Sequence, residues 1–338
     1  SAGSVPGPVC YCLGGEEPTF TDAVVTLGYL NPDHLAGGRL NIDSARSREA
    51  LQSRVADPLG LSLLDAAWGV YTIAVATMTR AVKAVSTYRG RDPREFALVA
   101  FGGNGPVAAV AIARELHMRT VLIPPSPGVF SAAGLLISRL ESAQSRSILR
   151  PIRTLSDAEI EASLASLEAQ ARGEISLEAS SADGIELRRV ADLRYAGQAF
   201  ELSIPLAAGP LSLTTLEQDF HNEHRRTYGH SSEGDPVELV NIRTVASAPA
   251  VADAGLADVL GRAALQSSGP SVSTRRACFG RNGQCIEVPV ISRRDLGSQG
   301  LSGPCIIEEI DATCVIPPGA SARLDAHGNI VIDTGEGE

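Results

Sequence analysis

The sequence predicts an α/β protein: a parallel βαβ layer in its first part, then a smaller α+β region. Three observations carry this. An apolar run at 96–101 leads through the glycine-rich turn Gly102-Gly-Asn-Gly-Pro106 into a helical stretch, 107–116, and a second apolar run at 120–124. Strand, turn, helix and strand in that order form one βαβ unit, which places the two strands side by side and parallel. Apolar residues recur at spacings of three and four through Leu64, Ala67, Trp68, Tyr71, Val75, Met78 and Val82, the pattern of a helix with one buried face over 61–88. The tail, 271–334, is a series of short apolar runs cut by Gly and Pro, which reads as small β-structure.

The remaining elements follow in order. The Gly- and Pro-rich opening, 5–15, reads as loop. A helix is predicted at 44–58, and Asp57 before Pro58 marks its break from the next. A further helix follows Pro127. Helices at 156–171 and 213–227 alternate with strands at 185–194, 199–205 and 236–247, and 251–270 reads as a linker. Residues 1–140 carry 12 basic and 11 acidic residues and 141–338 carry 17 and 28, so net charge changes from +1 to −11. With the polar stretch 141–147, that shift predicts a domain boundary near 140–150.

Composition excludes several functions. The 338 residues carry a net charge of −10 with only 4% aromatics. Such a surface repels phosphate backbones and offers few stacking platforms, which argues against nucleic acid. No run of about 18 apolar residues is present, so no membrane span is expected. The six cysteines, Cys10, Cys12, Cys278, Cys285, Cys305 and Cys314, include no CxxC pair and read as reduced thiols of a cytoplasmic protein.

Several motifs could carry chemistry. Gly102, Gly103, Asn104, Gly105 and Pro106 sit where a strand passes into a helix. Glycine permits close backbone approach, and a helix N-terminus favours anions, but the pattern is neither GxGxxG nor a P-loop, so taken alone it reads as a tight βα turn ahead of a nucleotide site. Thr21 and Asp22 either cap a helix or line a site. His221, His224 and His230 lack an obvious further ligand, so no metal is expected there, and His230 after Gly229 reads as a cap. Glu308, Glu309 and Asp311 read as a solvated turn. Ser126, Ser131 and Cys10 lack a recognisable base, and no GxSxG occurs.

Taken together, Pro6-Gly-Pro-Val-Cys-Tyr11, Glu17-Pro-Thr-Phe-Thr-Asp-Ala23, Gly37-Gly-Arg39, Phe101-Gly-Gly-Asn-Gly-Pro106, Pro124-Pro-Ser-Pro-Gly-Val-Phe-Ser-Ala132, Asp192-Leu-Arg-Tyr-Ala-Gly-Gln198, Tyr228-Gly-His230, Gly303-Pro-Cys-Ile-Ile-Glu-Glu309 and Pro317-Pro-Gly319 resemble the A-type subunits of the hydantoinase/5-oxoprolinase family. That family includes subunits of acetone and acetophenone carboxylases. The resemblance implies the second lobe of an actin-like (RNase H-like) ATPase fold over 1–140 and the family's C-terminal α+β domain over 141–338. It implies that Gly102, Gly103, Asn104, Gly105 and Pro106 form the adenosine turn, with Thr21 and Asp22 on the substrate side. The family's Asp-x-Gly-Gly-Thr phosphate loop is not found here, so the chain resembles the C-terminal half of such a subunit. ATP and Mg²⁺ are then the implied cofactors, with phosphate and metal ligands outside this chain. The implied partners are the N-terminal half of the A-type subunit, a B-type hydantoinase subunit and a small cyclic amide, in a hetero-oligomer. The implied reaction phosphorylates a lactam or imide oxygen before ring opening. A ketone carboxylase subunit is the alternative. Ala108 and Val24, where the family more often has His and Asn, motivate a third reading as a non-catalytic assembly subunit.

Overall fold

The computed structural model describes residues 5–178, 184–207, 209–248, 273–281 and 284–335. The chain forms two compact units, 1–88 with 92–135 and 254–338 in the first, and 89–91 with 136–253 in the second. The chain therefore leaves the first unit close to the charge boundary. The tail, expected to lie wholly in a C-terminal domain, instead contributes its strands to the first unit.

In the first unit the βαβ unit is present: Leu98–Val99 and Thr120–Ile123 pair in parallel, joined by the helix Gly105–Glu115. Against Thr120–Ile123 the tail strand Ile330–Asp333 runs antiparallel, with Ile332 opposite Val121 and Ile330 opposite Ile123. Ser321–Leu324 and Leu301–Ser302 extend this sheet to five strands. A second sheet orders Thr313–Ile316, Cys305–Glu308, Cys285–Ile291 and Ser273–Cys278. One core holds Val107 and Val110 of the helix, Val121 and Ile123 of the parallel pair, and Ile306, Ile307, Ile330 and Ile332 of the tail.

Three local expectations need correction. Residues 96–101 are not a buried strand: only Leu98–Val99 pairs, at the sheet edge, and Phe96, Val99 and Phe101 are exposed. Pro58 does not end its helix. The turn Gln52–Ala56 widens so that Asp57 N–H donates to Gln52 O, and the helix runs on to Leu59, ending at Gly60 with φ +63°. Cys278 and Cys285 are not free thiols. The register of Ser273–Cys278 with Cys285–Ile291 sets them directly opposite, and they are disulfide-bonded.

The second unit is a four-stranded antiparallel sheet in the order Glu141–Pro151, Val237–Ser247, Glu186–Tyr195, Leu202–Pro205. Its first strand spans the stretch read only as a polar boundary, because a strand with alternating half-exposed residues shows no apolar run. Helices Asp157–Glu178 and Leu213–Tyr228 share a core with the sheet through Ile160, Leu164, Phe220, Leu193 and Leu239. Residues 251–270, read as a linker, lie outside the described residues. Among the described residues no single helix is long and apolar enough to cross a membrane.

The first unit is fastened at Arg293, which is only 8% exposed. Its Nε and Nη2 grip Glu309 at 2.9 and 2.7 Å, Nη2 also donates to Pro124 O, and Nη1 donates to Ile123 O and Gly328 O. Burial pushes the Glu309 carboxyl above its ordinary range, and Arg293 opposes that shift. Removing one partner of such a pair strands the other in a dry interior. Arg293→Met is expected to destabilise the chain by about 3–5 kcal/mol, and Arg293→Met with Glu309→Leu to recover part of that loss, both read from urea unfolding.

Candidate functional site

The site is built from the opening loop. Asp22, 0% exposed, lies in the helix Phe20–Thr26 and accepts five hydrogen bonds. Oδ1 takes Cys10 N–H at 3.0 Å and Ser47 O–H at 2.6 Å; Oδ2 takes Val9 N–H at 3.2 Å and both Thr19 N–H and O–H at 2.8 Å. Burial by itself raises a carboxyl, but here the hydrogen bonds from Ser47, Thr19 and Cys10 together outweigh it and hold Asp22 below the ordinary carboxylate range. Thr19, rather than Thr21 or Asp22, is the helix cap. Asp22 is fully buried and pins the loop that carries Tyr11.

Thr21 is also fully buried, and its Oγ1 accepts from Asn104 Nδ2 at 3.4 Å. The Phe20–Thr26 helix is thereby tied to the glycine-rich turn. Gly102, at φ +83°, donates its N–H to Pro127 O at 2.6 Å, and Gly105 and Pro106 open the helix Gly105–Glu115. Gly103 and Asn104 line a cavity of about 540 Å³, whereas Gly102, Gly105 and Pro106 shape the turn behind it. Tyr11, Asn31, His34 and the turn 308–313 form the other walls.

The acidic residues at 308–311 are not a solvated turn. Glu308 ends a strand whose four residues are all buried, and its carboxylate is held by Arg275 and by Asn31 Nδ2. Glu309 is held by Arg293, and Asp311 Oδ2 accepts Gly128 N–H at 2.9 Å. Gly128 packs so tightly that a Cβ there would collide with Asp311 O. Each carboxylate lining the cavity is thus engaged by the protein. Among the described residues no group of three or more His, Cys, Asp or Glu is gathered to hold a metal.

The histidines resolve locally. His221 Nδ1 and the Tyr195 hydroxyl are hydrogen-bonded at 2.7 Å, and that hydroxyl also accepts Ser232 N–H at 2.8 Å. His224 Nδ1 lies 2.7 Å from His230 O; the His230 backbone carbonyl, not its ring, makes this contact. Gly229, at φ +79°, ends the helix. Burial pushes the Cys10 thiol up to about 12, which leaves it protonated and unreactive at neutral pH.

Sequence reasoning missed Asn31, His34, Arg275 and Arg293. Each acts through partners far along the chain, and no local pattern reports that. Tyr11 and the 303–309 segment lay within quoted motifs, and the unbroken apolar character of 305–307 was the available signal that Glu308 is inside.

The fold and the cavity define a chain built around a glycine-rich turn at a helix N-terminus. Residues 1–144 match the hydantoinase/oxoprolinase family and 152–332 match the hydantoinase/oxoprolinase C-terminal domain. The chain belongs to the hydantoinase/oxoprolinase family. It is 34% identical over 338 residues to the caprolactamase subunit alpha of Pseudomonas jessenii, covering 96% of this chain and 47% of that one. It is 30% identical over 354 residues to the acetophenone carboxylase gamma subunit of Aromatoleum aromaticum, covering 98% of this chain and 47% of that one. The crystal structure of the ATP-dependent caprolactamase from Pseudomonas jessenii superposes with a TM-score of 0.75 at 29% identity, over 99% of this chain and 49% of that one. The chain thus spans about half the length of these relatives.

Asp22→Asn is expected to destabilise the chain by roughly 1–3 kcal/mol at neutral pH, because an amide presents N–H groups to donors. A carboxyl held low in the fold stabilises above its ordinary value and loses that contribution as pH falls through its folded value. Stability of the wild type should therefore decline more steeply on acidification to about pH 3 than that of Asp22→Asn, measured by denaturant midpoints across that range.

Proposed function

We propose that this chain forms the adenosine-side wall of an ATP-dependent cyclic amide hydrolase, which phosphorylates a lactam or imide oxygen before ring opening. The observation that carries this reading is that Gly103 and Asn104 line the large cavity at the start of an eleven-residue helix, in a chain 34% identical to a caprolactamase subunit. In this reading residues 1–140 are the C-terminal part of the ATPase domain, an actin-like second lobe. Residues 141–338 hold the C-terminal domain, with its last strands packed into the first unit.

The residues suit one side of a nucleotide. Gly103 brings bare backbone to the cavity, since a Cβ there would find only Asp311 O, at 3.6 Å. Asn104 offers a side-chain amide, and Tyr11 and Leu35 supply a flat and an apolar surface. Thr21 orients Asn104, and Asp22 positions the loop bearing Tyr11 without contacting ligand. ATP supplies the phosphoryl group when bound; phosphoryl transfer needs positioning and charge neutralisation more than covalent chemistry from the protein. The engaged state of Glu308, Glu309 and Asp311 supports placing the Mg²⁺ ligands outside this chain. Phosphate contacts belong to the half-length that this chain lacks relative to its relatives, and hydrolysis to a B-type subunit. The relatives' names as alpha and gamma subunits support a hetero-oligomer, working in the cytoplasm where ATP is found.

A ketone carboxylase reading is favoured by the 30% identity to the acetophenone carboxylase gamma subunit. The two separate in the assembled complex: ATP turnover dependent on a lactam or hydantoin supports the hydrolase, and turnover dependent on a ketone with bicarbonate supports the carboxylase. In either complex Gly103→Val should weaken ATP binding at least tenfold by calorimetry. Unchanged ATP affinity in that variant, or ATP turnover by this chain alone at the rate of the complex, would overturn the assignment of the adenosine wall.

A further inference from the structure

A second cavity, of about 370 Å³, lies along the same Gly105–Glu115 helix but includes neither Gly103 nor Asn104. Its walls concentrate a scarce resource. The whole chain has 7 Phe, 6 Tyr and a single Trp, and Tyr29, Trp68, Tyr71 and Phe279 all line this cavity. Their rings lock one another: Trp68 and Tyr71 centroids are 5.3 Å apart, Tyr29 and Tyr71 5.6 Å and edge-on, and Tyr29 and Phe279 5.3 Å. Val107, Val110 and Pro317 add aliphatic surface.

Two polar groups in this wall keep a donor that makes no hydrogen bond among the described residues. Tyr71 is only 7% exposed, yet its hydroxyl makes no hydrogen bond among the described residues. Arg114 is fixed by carbonyls: Nε donates to Thr334 O at 2.9 Å, and Nη2 to Thr334 O at 2.7 Å and Pro318 O at 2.9 Å. Among the described residues its Nη1 has no partner and no carboxylate pairs with the guanidinium. Carbonyl dipoles orient the fork without neutralising it, and no described carboxylate bonds to it, which is the arrangement of an anion receptor more than of a structural arginine such as Arg293. The phenol of Tyr71 feels that charge: burial pushes it up, and Arg114 pulls it partly back. Glu115, exposed, also lines the cavity and disfavours more than one negative charge on a ligand.

We propose that this cavity is a second ligand site that binds a small aromatic monocarboxylate, its ring against Trp68 and Phe279 and its carboxylate on Arg114 Nη1 and the Tyr71 hydroxyl. The site is independent of the adenosine wall and of the reaction assigned above.

Trp68, as the sole tryptophan, reports the site directly. Titration of the full chain with benzoate should give a saturable change in tryptophan emission, with a dissociation constant of about 1 mM or below. Benzyl alcohol and benzylamine should bind at least tenfold more weakly, Arg114→Gln should weaken benzoate at least tenfold, and Tyr71→Phe severalfold. Circular dichroism and urea midpoints establish that the variants are folded. Should Arg114→Gln fail to fold, the ratio of benzoate to benzyl alcohol on the wild type and the Tyr71→Phe titration decide the matter. No saturable change with benzoate, equal affinity for the uncharged or cationic analogue, or full benzoate affinity in a folded Arg114→Gln would each overturn the proposal.

Discussion

All five N–H donors of Arg293 are occupied, two by one carboxylate and three by backbone carbonyls from distant stretches of chain. A desolvated guanidinium tolerates no vacancy among its donors, so Ile123, Pro124, Gly328 and Glu309 must meet at one point. Ile123 and Pro124 lead into the Pro127–Val129 segment, and Glu309 leads into the turn that ends at Thr313. Fixing both origins brings Gly128 against Asp311, a contact with no room for a side chain. One wall of the large cavity is therefore set by a residue that does not line it.

The opposite wall rests on a second buried charge. Asp22 is a carboxylate with no arginine, kept ionised by hydroxyl and amide donors alone. These donors come from the opening loop, the cap of its own helix and Ser47 in the helix Ser44–Leu51, so the carboxylate gathers three segments at one point. Thr21, its neighbour in sequence, reaches the glycine-rich turn through Asn104. Asp22 and Thr21 thus serve the site by placing Tyr11 and Asn104. This explains why two residues inside a recurrent motif are among the least accessible in the chain.

One helix, Gly105–Glu115, serves both cavities. Its start presents bare backbone to one, and its flank presents Val107, Val110 and Arg114 to the other. The contrast between Arg114 and Arg293 is instructive, because both guanidinium groups are anchored to carbonyls. Arg293 also has Glu309 and is electrically complete, whereas Arg114 has no carboxylate among the described residues.

By itself the sequence determined the βαβ unit, the long amphipathic helices, the tail's short strands and the place of the glycine-rich turn, because each is written in local periodicity and turn chemistry. Its motifs also carried the family. Only the tertiary structure decided that the tail's strands belong to the first unit, since the pairing of Ile332 with Val121 joins residues that no local pattern connects. It alone separated the roles of the polar residues. Asp22, Glu308 and Glu309 look in sequence like surface or site carboxylates, yet Asp22 and Glu308 are buried, the Glu309 side chain is 6% exposed, and all three are satisfied, while Asn31, unremarkable in sequence, lines the cavity. Burial and hydrogen-bond partnership are properties of the assembled chain, and they decide whether a charged side chain holds the fold or remains available for a ligand.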